Sequence, residues 1–357
     1  MSRKKATLLS LLMLVGVVGI SIGAAFLKNA MADASPGAFA SPAPLYGEQG
    51  LPYGQTLSME PLLVDDEYVY FKDRVLERFF NHPEANRITA QSIGSLVRAI
   101  PQEVRTTVML VPLRIATEPA FAQYTDDSSA AIREIYEALP AGVETLDVTS
   151  ALLEHGEEYI FFRTDDSWTA LGSYYGARLY GESIGLDMLE LDAYEDYRFE
   201  FYLGVFASLD QAAIESQYTD YVAYYILKDA ANWQTVTIRE GPSQYAEHQS
   251  PAVALSRRGT DIFVAGYYSH SILQGDGANG KTLLVIGDSN AKLFAPWFTP
   301  YYETVYLVNG ERYQNGAAGL QQIFMEYNVT DCVILEGADQ FGETPLNQRM
   351  RSLGGGK

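Results

Sequence analysis

The sequence predicts an α/β fold: a mostly parallel sheet with helices on both faces and a strand-rich insertion. Three observations predict it. Apolar runs of strand length at 282–286, 304–308 and 332–335 alternate with helical spacing at 291–298 and at Leu320, Ile323, Phe324 and Tyr327. Alternation of that kind brings successive strands side by side and parallel, with the helices packed on the two faces. The run at 106–111 is continuously apolar up to Pro112, as a strand covered on both faces would be. Finally, 357 residues that are 47% apolar can bury a large core.

The elements follow in order. Arg3, Lys4 and Lys5 precede an almost wholly apolar stretch from Ala6 to Leu27, and Ala30-Met31-Ala32 closes it with small residues at the ends of the triplet. Positive charge before an apolar stretch about twenty residues long keeps the N-terminus inside, and small-x-small is a signal peptidase pattern. Residues 1–32 therefore read as a signal peptide or a single membrane anchor, and the rest of the chain as extracytoplasmic. No cysteine lies near residue 30, which excludes lipid attachment there. Residues 33–60, rich in Ala, Pro, Gly and Ser, read as a flexible linker.

A single domain is expected over 61–345, followed by a tail at 346–357. It opens with a hairpin, 62–64 and 68–70 around Asp65-Asp66-Glu67. Ile93, Leu96, Val97 and Ile100 share one helical face, as do Ile132, Ile135, Tyr136 and Leu139. Strands are expected at 106–111, 143–148 and 159–162, and a helix at 169–184. Between about 187 and 280 the pattern is strand-like, at 199–206, 218–226, 233–238 and 261–264, and reads as an insertion into the sheet domain.

The net charge is −20, and removal of residues 1–32 leaves 21 basic and 45 acidic residues, a net −24. Such a surface repels phosphate backbones and anionic lipid headgroups, so nucleic-acid binding is excluded and membrane contact is left to the N-terminal segment. Cys332, the one cysteine, stands in an apolar run and reads as a buried core residue.

Two loops carry candidate chemistry. The first is Arg163-Thr164-Asp165-Asp166-Ser167-Trp168-Thr169, and the second Gly287-Asp288-Ser289-Asn290. Each runs from an expected strand into an expected helix, at the carboxyl ends of the strands where α/β sheets bind ligands. Asp and Ser at such places can simply cap a helix; a serine on a tight turn beside helix N–H groups can also serve as a nucleophile.

These two motifs and their order resemble the DHHW family, exported bacterial proteins similar to the SGNH-hydrolase-like proteins of alginate O-acetylation. The family pattern is a strand ending in Arg-Thr-Asp-His-His-Trp-Thr, then a Gly-, Ala- and Tyr-rich helix. Later comes a strand running into Asp-Ser and an aromatic, Pro-containing helix. Here the segments read Phe162-Arg163-Thr164-Asp165-Asp166-Ser167-Trp168-Thr169 and Leu284-Val285-Ile286-Gly287-Asp288-Ser289, followed by Phe294-Ala295-Pro296-Trp297-Phe298. The resemblance spans roughly residues 60–340 and implies an SGNH-hydrolase-like, flavodoxin-like sheet.

By position the resemblance makes Ser289 the nucleophile and Asp165 the acid that orients a histidine, with Asp288 beside the serine. The histidine position is Ser167, and the other family histidine is Asp166. A serine hydroxyl cannot take a proton near neutral pH, so Asp165 has no imidazole to hold. Many relatives also carry Gly-Asn where this chain has Gly266-Tyr267. The residues expected to contact substrate are Arg163, Asp166, Trp168 and Tyr267, with Arg163 also expected to pair with a carboxylate.

Two substitute bases are open. His270 follows the Gly266 region, whereas His82 and His155 read as solvated turn residues and His248 as part of a polar loop. Lys292 lies three residues after Ser289 in a Ser-x-x-Lys spacing, either as a base one helical turn away or as an exposed surface lysine. Asp165, Asp166 and Asp288 can also converge as a cation cluster, although their spacing fits no known metal loop; more simply, Asp165 or Asp166 caps the helix near Thr169. No metal and no cofactor is expected. Two functions stay open: a silent relative that binds an envelope polysaccharide or a partner, or an active polysaccharide O-acetyltransferase or acetylesterase with a non-standard base. In either, a membrane-bound O-acyltransferase that supplies acetyl groups is the expected partner.

Overall fold

The computed structural model describes residues 48–51, 55–228, 236–240, 244–250, 259–264, 266 and 268–356. The segment expected to direct export and most of the expected linker lie outside these residues, as does Tyr267. Among the described residues no helix is long and apolar enough to cross a membrane.

The first elements are three short strands, β1 (Leu63–Val64), β2 (Tyr68–Tyr70) and β3 (Val75–Glu77), paired antiparallel in that order. The β1–β2 turn forms as expected because the Asp65 carboxylate accepts the Glu67 and Tyr68 N–H groups. Helix α1 (Pro83–Val97) leads into β4 (Arg105–Val111), and α2 (Ser128–Glu137) into β5 (Glu144–Leu146). Then come α3 (Val148–Leu153) and α4 (Ala170–Ser183), followed by the strands β6 (Tyr194–Tyr202), β7 (Asp220–Leu227), β8 (Val236–Glu240), β9 (Gln244–Ser250) and β10 (His270–Gln274). The C-terminal part holds β11 (Thr282–Gly287), α5 (Ala291–Phe294), β12 (Thr304–Asn309), α6 (Gly316–Glu326), β13 (Val329–Gly337) and α7 (Pro345–Leu353).

One sheet orders its strands β5-β4-β13-β11-β12-β10-β8-β9. The five strands from β5 to β12 are mutually parallel, and β10, β8 and β9 extend the sheet antiparallel. This is the mostly parallel, helix-flanked sheet that the sequence predicts. The parallel strands are apolar on both faces. Val108, Leu110, Leu284, Ile286, Cys332 and Ile334 face one layer with Ile93, Ile132 and Leu320, while Met109, Leu283, Val285, Val333 and Leu335 face the other with Leu152, Tyr174 and Phe294. Such period-two assignment to two buried layers is what continuous apolar runs encode.

Five expectations need correction. The run at 159–162 is no strand of the sheet; it forms one isolated bridge, Phe161 to Trp168, and turns back on itself. The insertion divides: β8, β9 and β10 complete the sheet edge, whereas β6 and β7 make a separate two-stranded ribbon and 259–262 a short 3-10 turn. His248 falls in β9, not in a loop. The expected tail contains α7, which buries Leu346, Met350 and Leu353 in the layer of α1. The expected linker also docks in part: Leu51 is buried, and the Gln49 carbonyl accepts from the Arg163 guanidinium.

Candidate active site

The loop after Phe162 is built around a buried acid that sequence inspection passes over. Asp220, at the start of β7, accepts the backbone N–H groups of Arg163 and Thr164, the Thr164 hydroxyl and the Tyr159 hydroxyl. The Arg163 guanidinium pairs with it at 3.3 Å and donates to the Gln49 and Thr219 carbonyls. Arg163 thus finds its carboxylate, but it is wholly buried and turned inward, so it is scaffold and not a substrate contact. Trp168 is corrected in the same way. It is wholly buried, packs near Phe294, and ties the two motif loops together: its backbone N–H donates to Asn290 Oδ1 and its indole N–H to the Asn290 carbonyl. The loops therefore do meet, although not through two strands of one sheet. The cap of α4 is the Thr169 hydroxyl, and not Asp165 or Asp166.

Asp165 is buried and crowded with donors. Its Oδ1 accepts the Ser167 hydroxyl at 2.7 Å, and its Oδ2 accepts the Tyr202 hydroxyl at 2.8 Å and the Val205 N–H at 3.2 Å. Burial alone would raise its carboxyl, but hydrogen bonds from Ser167, Tyr202, Asp166 and Val205 outweigh it and hold Asp165 below its ordinary value. Asp166 takes the complementary role. Burial, then the charge of Asp165 and of Asp339, push it up to about 9, so it stays protonated and donates to Asp165. Ser167 thus fills the place where the family pattern has an imidazole.

Ser289 is half-buried in the β11–α5 turn, and its hydroxyl makes no hydrogen bond among the described residues. Asp288 accepts the Asn290 and Gly337 N–H groups. Burial and the neighbouring Asp339 nevertheless raise it to about 7. Asp339 and Glu77, both missed in the sequence, join this acidic group; burial and Asp339 push Glu77 up to about 8. Among the described residues no cluster of His, Cys, Asp or Glu is arranged to hold a metal ion.

Lys292 is not an exposed surface lysine. It is 7% exposed, its ammonium donates to the Thr260 hydroxyl at 2.9 Å, and Asp261 lies 3.6 Å away. Burial lowers its pKa, offset in part by Asp261 and Asp165. Thr260 also bonds with Tyr202, so a polar chain runs from Lys292 through Thr260 and Tyr202 to Asp165. Beside Lys292 a cavity of about 10 Å³, room for a single water, is lined by Asp288, Ser271 and Asn309 among others. His270 lies apart. It is buried between Tyr306 and Tyr313, in the α1 and α6 layer, while its neighbour Ser271 lines the cavity beside Lys292. Its position removes it as a base for Ser289.

Tyr202, Thr260 and Asp220 carry no local sequence signal; they reach the site from 37 to 95 residues beyond Asp165 only through the fold of β6, β7 and the 259–262 turn.

A comparison with curated proteins finds no match. Among solved structures, a DHHW family protein from Eubacterium siraeum aligns over 84% of this chain and 99% of its own, at 19% identity and a TM-score of 0.71. PatB1 of Bacillus cereus, solved with a sulfonyl adduct, aligns over 80% of this chain and 99% of its own, at 15% identity and a TM-score of 0.64. These likenesses concern the fold. The family model described as DHHW protein matches residues 104–308, more than half of the sequence and both motif loops, and the chain belongs to that family.

Proposed function

We propose that this is an exported cell-envelope protein of the SGNH-like O-acetyltransferase and esterase type that has lost catalysis and acts by binding an envelope polysaccharide or a partner such as a membrane-bound O-acyltransferase. The observation that carries the reading is the state of Asp165. Its oxygens are occupied by Ser167, Tyr202 and Val205, and nothing in that set can accept the Ser289 proton. Loss of the base in a serine triad costs about a millionfold in turnover.

The test is hydrolysis of p-nitrophenyl acetate by the purified domain, with sulfonyl fluoride labelling alongside, since such reagents trap activated serines. Wild type should show no activity beyond that of Ser289→Ala and no label on Ser289. Asp166→His with Ser167→His, which rebuilds the family motif next to Asp165, should raise activity at least tenfold. Strong wild-type hydrolysis abolished by Ser289→Ala would defeat the silent reading. A second reading would then apply, supported by the burial and lowered pKa of Lys292 in its Ser-x-x-Lys spacing; Lys292→Ala should abolish that activity.

Export rests on Arg3, Lys4, Lys5 and the apolar stretch that follows. Protease added to spheroplasts should digest the domain, and full protection would place it inside.

A further inference from the structure

Helices α1 and α2 pack on one face of the sheet, and α4 and α5 on the other, so a groove along α1 lies on the layer opposite the helix that follows Ser289. A cavity of about 430 Å³ opens there, between α1 and the end of α2. That volume lies in the range of small-molecule sites. Its walls are apolar: Ala90 and Gly94 on α1, Leu139 and Pro140 just after α2. Gly94 gives the groove its depth, since a Cβ there would lie 3.4 Å from both Pro140 Cδ and Arg98 Nη1. The charged groups of the lining are Arg87 and Arg98, and no acid joins them, in a chain with 45 acidic and 25 basic residues. Arg87 is engaged, because its Nε donates to Glu84 at 2.9 Å. Arg98 is not: its guanidinium makes no hydrogen bond or ion pair among the described residues. An arginine at a helix end often serves the last carbonyls. Here the Gly94, Leu96 and Val97 carbonyls instead accept the backbone N–H groups of Arg98, Ala99 and Ile100. The guanidinium lies back over Gly94, at the edge of the cavity.

We infer that this groove binds a small monocarboxylate with an apolar body, the carboxylate on Arg98 and the body against Gly94, Leu139 and Pro140. The planar guanidinium presents two parallel N–H donors, the geometry that a carboxylate accepts. A single charge is favoured over several, because a protein of net charge −20 repels every negative charge on a ligand and Arg98 offsets only one. The apolar walls reward a body that a bare ion lacks, and a neutral apolar molecule leaves Arg98 unused. The inference goes beyond the reading of Ser289 as silent and does not depend on it.

The probe is 3-phenylpropionate, titrated by calorimetry into the chain from residue 33 onward, with 3-phenylpropanol and inorganic phosphate as comparisons. Saturable binding is expected with a Kd of about 1 mM or below, and the alcohol and phosphate should each bind at least tenfold more weakly. Arg98→Gln should weaken the carboxylate at least tenfold while the thermal midpoint stays within a few degrees, because the side chain is exposed and holds no partner among the described residues. Gly94→Ala keeps the test open should that variant fold poorly. Its methyl group meets its neighbours at ordinary contact distance and favours the helix, so it should fill the groove and weaken binding without loss of stability. No saturable binding by wild type overturns the proposal. So does binding that either variant leaves unchanged, or an equal affinity for the alcohol or for phosphate. Ser289→Ala should leave the titration as it is; a loss there would put the carboxylate in the candidate active site and sink the groove. Ester hydrolysis is read separately: an active enzyme defeats the silent reading without touching Arg98.

Discussion

Asp165 can accept the Tyr202 hydroxyl and the Val205 N–H only because Gly204 lets the covering segment lie flat on it. A Cβ at 204 would fall 2.3 Å from Asp165 Oδ2, 2.4 Å from its Cβ and 2.5 Å from the Thr164 carbonyl oxygen. None of these is the free end of a flexible side chain, and Gly204 has φ −84, so the constraint is space and not backbone conformation. Gly204→Ala must therefore push the segment away and weaken the Tyr202 and Val205 bonds to a buried carboxylate. Overpacking of this kind costs about 1–3 kcal/mol. Urea unfolding should show that loss; an unchanged midpoint would mean that the covering segment is not seated on Asp165. Of this residue-scale arrangement, the sequence makes Asp165, Ser167 and Ser289 visible through motif position. It hides Tyr202 and Asp220, because a tyrosine in a tyrosine-rich chain and an Asp at a strand start look like ordinary packing and turn residues.

At the scale of elements, what was legible and what was not divide along a physical line. Parallel strands such as β11, β12 and β13 are apolar on both faces, and helices such as α1 and α2 keep one apolar stripe, so periodicity finds them. The run Tyr159-Ile160-Phe161-Phe162 is just as apolar and just as buried, yet it is an irregular turn folded under α4. Burial sets the composition of such a run; hydrogen-bond pairing, which composition does not encode, decides whether it is a strand. The burial of Lys292 is hidden for a related reason. A lysine on a short helix reads as solvated, and only the 259–262 turn, arriving from thirty residues upstream, supplies the hydroxyl and carboxylate that bury it. In α7 the sequence reads as polar overall, and the spacing of Leu346, Met350 and Leu353 is masked by the glycine-rich end that follows.

The whole molecule concentrates negative charge that it cannot fully ionise. Asp166, Glu77 and Asp288 are driven up to about 9, 8 and 7, by burial first and then by the charge of Asp165 on Asp166 and of Asp339 on Glu77 and Asp288, and Asp339 and Glu336 are raised too. A carboxyl whose folded pKa lies above its unfolded value binds a proton in the fold that the unfolded chain has released. Its contribution to stability is complete below the unfolded value near 3.8 and is lost as pH climbs towards the folded value. Asp165 has the opposite sign, but its lowered pKa acts only at pH below its ordinary value, outside this window. Stability should therefore fall from pH 5 to pH 9. Mutual repulsion of surface acids would give the same trend, so the decisive comparison is Asp166→Asn. The amide still donates to Asp165, as the protonated acid does, but has no proton to lose. Measured by urea unfolding, the variant should match wild type near pH 5 and gain on it steadily up to pH 9. A difference that stays constant across that range would show that Asp166 is ionised in the fold and that the Asp165–Asp166 pair does not hold a shared proton.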